Sequence, residues 1–117
     1  MVSKELSKPV IKYIDVGSVS AGATASDKWT ADKDYVIRHI FVKADGEAAV
    51  KSTITMRIDD YTITKDQALC NTFGTSARDA LLLNIDFKKS ATFYYSIKNN
   101  EGSAKNFSIE LVMEEVA

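Results

Sequence analysis

The chain has 117 residues, 45% hydrophobic and 26% charged, enough for one globular domain with a real core and no covalent staples. Its 15 basic and 16 acidic residues leave a net charge of −1, which excludes a global field for nucleic acid or an anionic membrane, and lysines far outnumber arginines. The single cysteine, Cys70, excludes an intrachain disulfide and points to a reducing compartment.

In chain order, the N-terminal "MVSKELSKPV" has no continuous apolar stretch of the signal-peptide kind, and no run approaches the roughly 20 apolar residues that span a bilayer. The expectation is a protein made in the cytoplasm, with residues 1–8 as a polar arm and 9–117 as one domain without membrane partners. Helix-period patterns are nearly absent. Short alternating runs recur between Gly, Asp, Asn and Ser clusters, the signature of an all-β chain. "PVIKYIDV" (9–16) opens with a proline that suits a strand edge. "ATASDKW" (23–29) is a weaker strand, and "YVIRHIFVKA" (35–44) is the strongest of this half. "DGE" turns into "AAVKSTITMRI" (48–58), expected as one long strand.

Asp59-Asp60 is expected to be a two-residue hairpin loop. Ile58 then faces Tyr61 and Met56 faces Ile63 on the inner side, while Arg57 pairs with Thr62 and Thr55 with Thr64 on the outer side. Asp tolerates the left-handed conformation that such a turn needs. Residues 71–80 form the longest irregular connection, with "SARDALL" a possible helical turn. "LLLNIDF" places Leu81, Leu83, Ile85 and Phe87 inward, "ATFYYSIK" Phe93, Tyr95 and Ile97, and "NFSIELVM" Phe107, Ile109, Leu111 and Met113. These last three strands are expected to form a meander. The fold class is an all-β antiparallel sandwich of about eight strands, jelly-roll or a similar Greek key.

The chemistry-bearing residues are few. Asp59, Asp60 and Asp66 are weak metal candidates, because neighbours on a tight turn diverge and a hard cation needs about six converging oxygens. Asp32, Asp34 and Asp45 sit at other turns with the same option. His39 and Cys70 cannot complete a zinc site alone, and as a catalytic pair they lack an evident orienting group. No phosphate loop, dinucleotide fingerprint, zinc-protease motif or nucleophile elbow occurs. No enzyme, cofactor or nucleic-acid partner is expected. The aromatics Trp29, Tyr35, Tyr61, Phe73 and Tyr94 exceed what one small core holds, and such rings serve interfaces and sugar sites. Residues 35–43 are apolar on both faces, with Ile37 and Phe41 on one and Val36, Ile40 and Val42 on the other. A loop or a second subunit must cover one of them. The candidate interface is therefore Val36, Arg38, Ile40 and Val42, with Trp29, Tyr61, Phe73 and Tyr94.

From "WTADKDYVIRHIFVKADG" through "ITMRIDDYTITKD" to "LLLNIDFKKSATFYYSIKNNEGSAKNFSIELVM", residues 29–113, the pattern resembles small jelly-roll structural proteins of virions. These are capsid decoration or head-fibre-like accessory proteins of phages or archaeal viruses. The resemblance implies a non-enzymatic homo-oligomer, a trimer by preference, that docks on other shell proteins and resides in the virion. The alternative is a carbohydrate-binding module whose Trp29, Tyr61, Phe73 or Tyr94 stack on a glycan around residues 71–79.

Overall fold

The computed structural model describes residues 7–74 and 79–116. Its strands are β1 (Ser7–Val19), β2 (Thr24–Thr30), β3 (Tyr35–Ala44), β4 (Glu47–Ala48), β5 (Thr53–Ile58), β6 (Tyr61–Thr62), β7 (Ala68–Leu69), β8 (Ile85–Phe87), β9 (Thr92–Lys98) and β10 (Lys105–Val116), with a 3-10 turn at Cys70–Phe73. One sheet runs β1-β10-β3, with β4 and β8 sharing the far edge of β3; the other runs β2-β9-β5, with β6 and β7 sharing the far edge of β5. All pairings are antiparallel, and one set of them is nested: β1 with β10, β2 with β9, β3 with β8, β5 with β6 and β7. That is one long hairpin rolled on itself, a jelly roll.

The fold class therefore stands as expected, while two strand assignments do not. The run 48–58 is not one strand. It breaks at residues 49–52, where the chain leaves the first sheet for the second. Nor do the last three strands make a meander, because β8, β9 and β10 alternate between sheets. Alternation reports which face a residue shows, but not which sheet its strand joins.

The core lies between the sheets. Phe93, Ile97, Phe107, Ile109 and Leu111 are fully buried, as their alternation predicts, and each such side chain contributes about 1.5–3 kcal/mol. Ile85 and Phe87 also point inward, but Leu81 is 43% exposed because strand structure starts only at Ile85. Trp29 closes the open side of the sandwich. It is half-buried against the core and meets Phe87 edge-on at 5.6 Å, while the Lys12 ammonium from the other sheet's edge lies 5.1 Å above its ring.

Both ends are fastened by polar side chains. At one end the fully buried Asn99 donates from Nδ2 to the carbonyls of Val19 (2.8 Å) and Ser103 (2.9 Å), and its Oδ1 accepts from the Glu101 N–H. Glu101 in turn takes the N–H groups of Lys51 and Ser52 and the Ser52 hydroxyl on one oxygen, Oε2, at 2.7–2.9 Å, pinning the crossover between sheets. Between β3 and β4, Asp45 and Gly46 both have positive φ, the requirement of a type I′ hairpin.

The Asp59-Asp60 turn forms. Ile58 pairs with Tyr61 and Arg57 with Thr62 as expected, and Asp59 has φ 48°. Beyond that the register departs from expectation. The Met56 carbonyl accepts from both Ile63 (3.0 Å) and Thr64 (3.3 Å), a bulge that swings Thr64 inward to accept from the Met56 N–H. Ile58 and Met56 are core, but Tyr61 is 58% exposed because β6 is a two-residue strand at the sheet edge.

Candidate functional site

The two-faced apolarity of β3 has a local cause. His39 pairs with Val112 and Ile37 with Met113, which leaves Arg38 as an extra residue in a β-bulge. The bulge changes the phase, so Tyr35 and Ile37 before it and Ile40, Val42 and Ala44 after it all point into the core. Ile40 and Val42 are completely buried and are not available to a partner, and Val36 is half-buried. Arg38 projects from the bulge, where Nε donates to Glu114 at 2.5 Å and Nη1 to Asn84 at 2.7 Å. Phe73 is buried in the core beside Cys70. Of the aromatic set only Tyr61 is well exposed, so no sugar platform of Trp29, Phe73 and Tyr61 is assembled; residues 75–78 of that expected loop lie outside the described residues. The 1–8 arm likewise falls outside them except for Ser7 and Lys8, which open β1 opposite Val116 and Glu115.

The aspartates at the corners spend their oxygens on neighbouring turns. Oδ1 of Asp59 accepts from the Thr92 N–H, that of Asp34 from Lys89, and that of Asp45 from Asn106. Asp32 accepts from the Tyr35 hydroxyl at 2.6 Å, a bond that lowers the acid's pKa and raises that of the phenol to about 12. Among the described residues no three His, Cys, Asp or Glu side chains are placed to share a metal ion. Cys70 is wholly buried, and burial, with Glu101 nearby, pushes its thiol up to about 12. His39 stands on the other side of its sheet, stacked on Phe41 with Nδ1 3.2 Å from the Leu81 carbonyl. The two residues expected as a possible pair face opposite ways.

Two outer faces remain. On the first sheet, the rows Ile11–Val112–His39 and Tyr13–Glu110–Phe41 run across β1, β10 and β3. Ile11 is 62% and Tyr13 57% exposed, and Phe41 is buried without belonging to the core between the sheets. Leu81 and Leu82, 43% and 75% exposed, follow beside His39. The sequence carried a signal for this face: in "VIKYI" the only polar residue, Lys12, shares the inward row with Val10 and Ile14, which leaves Ile11 and Tyr13 outside.

The outer face of the second sheet is polar. The row Lys28–Tyr94–Arg57 crosses β2, β9 and β5, followed by Ser26–Ser96–Thr55, with Ser26 and Ser96 hydroxyls 2.9 Å apart. The Arg57 guanidinium lies 3.8 Å above the Tyr94 ring centre, and its Nη1 donates to the Asp59 carbonyl. A shallow groove of about 410 Å³ runs between these residues.

No family model and no curated protein matches the chain. Among solved structures it is similar to the Yersinia pseudotuberculosis-derived mitogen, at 13% identity with a TM-score of 0.49, covering 94% of this chain and 88% of the mitogen. It is also similar to the Drosophila NLP core (14% identity, TM-score 0.40, 88% and 96% covered) and to VP2 of the infectious bursal disease virus subviral particle (15%, 0.34, 94% and 37%). No helix among the described residues is long and apolar enough to cross a membrane.

Proposed function

We propose that this chain is a non-enzymatic assembly subunit that associates with copies of itself through the outer face of β1-β10-β3. Docked on a protein shell, it serves as an accessory or decoration component of a viral particle. One observation supports this most: Ile11 and Tyr13, both more than half exposed, share one outer face with Val112 beside Ile11 and with Phe41 diagonal to Val112, an apolar patch over three strands with Glu110 between Tyr13 and Phe41. Scattered apolar residues on a surface need no explanation, whereas a patch crossing a sheet marks an interaction surface. A second copy fits it, because charges of both signs lie within and beside the patch, Glu110 with Lys43 and Glu114 with Arg38, which a two-fold or three-fold neighbour can meet in kind. Particle docking follows from the virion resemblance of residues 29–113.

Sedimentation velocity on the full chain tests the assembly. A concentration-dependent oligomer is expected, and a strict monomer at every concentration overturns it. Genes for terminase, portal or major capsid protein beside its own support the virion role, and a cellular neighbourhood without them removes it.

A further inference from the structure

We infer that the outer face of β2-β9-β5 binds an acidic polysaccharide, with the Arg57 guanidinium gripping a uronic-acid carboxylate. This surface is separate from the assembly face and does not depend on it.

The first support is charge. In the strand register, the outward positions of these three strands carry Lys28, Arg57 and Lys98 and no acid; the other residues there are hydroxyl-bearing. A chain of net charge −1 has thus gathered three cations on the outward rows of this sheet, and the single acid lining the groove, Asp27, stands on the alternate row of the edge strand. The second is preparation. Arg57 stacks on Tyr94 at 3.8 Å and is tied by Nη1 to the Asp59 carbonyl, so its fork is held before any ligand arrives. A guanidinium presents parallel N–H donors that match a planar carboxylate, and one already ordered loses little freedom on binding.

The third support is the shape and the chemistry of the walls. The groove of about 410 Å³ is open along its length, which suits one or two rings of an extended chain rather than an enclosed small molecule. Ser26, Ser96 and Thr55 line it with hydroxyls; Ser26 donates to Ser96 and Thr55 to the Asp66 carbonyl, so Ser96 keeps a hydrogen to donate and the oxygens can accept from the hydroxyls of a sugar. An acidic peptide fits less well. Strand addition would place it along the edge of β2, two strands away from Arg57, whereas the groove crosses the face of the sheet. Single-stranded nucleic acid fits less well too, since base stacking needs an open ring face and Arg57 covers one face of Tyr94.

The test is isothermal titration calorimetry of the full chain with hexagalacturonate, alongside maltohexaose, hexaglutamate and oligo-dT. Saturable binding of hexagalacturonate that weakens as salt rises, with the other three weaker or silent, is expected. Arg57→Gln should weaken it about tenfold or more, the scale of hydrogen bonds to a charged group. Lys28→Gln, at an exposed position, should weaken it about twofold to fivefold, the scale of an exposed ion pair, and serves as the second variant should Arg57→Gln fail to fold. No binding of hexagalacturonate, equal binding of maltohexaose, or tighter binding of hexaglutamate or oligo-dT overturns the inference. So does unchanged affinity in a folded Arg57→Gln or Lys28→Gln variant.

Discussion

Asp59 and Thr92 hold each other by two hydrogen bonds: the Asp59 N–H donates to the Thr92 carbonyl at 3.0 Å, and the Thr92 N–H donates to Asp59 Oδ1 at 3.1 Å. The pair fastens the tip of the β5-β6 hairpin to the start of β9. Asp59 also has the positive φ, whereas its exposed neighbour Asp60 has neither feature. The two acids, alike in sequence, therefore differ in consequence. Asp59→Ala should cost about 1–3 kcal/mol, combining a lost charge-assisted bond with an unfavourable left-handed alanine. Asp59→Asn should cost less than half of that, and Asp60→Ala should stay within about 0.5 kcal/mol. Urea unfolding with a constant slope measures all three.

Glu101 makes stability pH-dependent. Burial pushes its pKa up, but hydrogen bonds from the Ser52 hydroxyl and from the Lys51 and Ser52 N–H groups, with the Lys51 charge, outweigh it and hold the pKa below the ordinary 4.5. A carboxylate lowered in the folded state binds fewer protons there than when unfolded. Its stabilisation is complete above the unfolded value and is lost as pH falls from about 4.5 through the lower folded value. Glu101→Gln should lower stability at pH 7 and flatten the acid limb of a stability–pH profile measured by thermal melting. An acid limb as steep as that of the parent would contradict this.

Cys70 should be inert. A thiol pushed up to about 12 and wholly buried exposes almost no thiolate at neutral pH. A disulfide reagent such as DTNB should leave it unlabelled in the folded protein and label it fully in guanidinium. Rapid labelling of the folded chain would mean that the Cys70–Phe73 turn opens readily.

The assembly face gives a separation of stability from association. Ile11→Lys with Tyr13→Lys places charges where both side chains are more than half exposed, so the stability of the subunit should change by less than about 1 kcal/mol. The oligomer, by contrast, should dissociate to monomer in sedimentation velocity. Phe87→Ala is the contrasting core variant: it empties space beside Trp29 and Phe93 and should cost about 3–5 kcal/mol.

Much of the sandwich was legible because burial in an antiparallel sheet imposes a period of two. The inward residues of β9 and β10, the edge position of Pro9, and the turns at Asp45-Gly46 and Asp59-Asp60 follow from alternation and turn chemistry alone. The sequence by itself thus determined the fold class, these turns and most of the strands. What it could not carry is anything set by an inserted residue or by a partner distant in the chain. The bulge at Arg38 turned an apparently two-faced strand into an ordinary core strand, and the one at Ile63-Thr64 exchanged inside for outside within two residues. The allotment of β8, β9 and β10 to alternating sheets, the placing of Arg57 on Tyr94, and the gathering of Ile11, Tyr13, Val112 and Phe41 on one face were decided only by tertiary pairing. The physical reason is that local chemistry fixes which way a side chain points from its own strand, while the neighbour it meets depends on register across strands up to the whole chain apart.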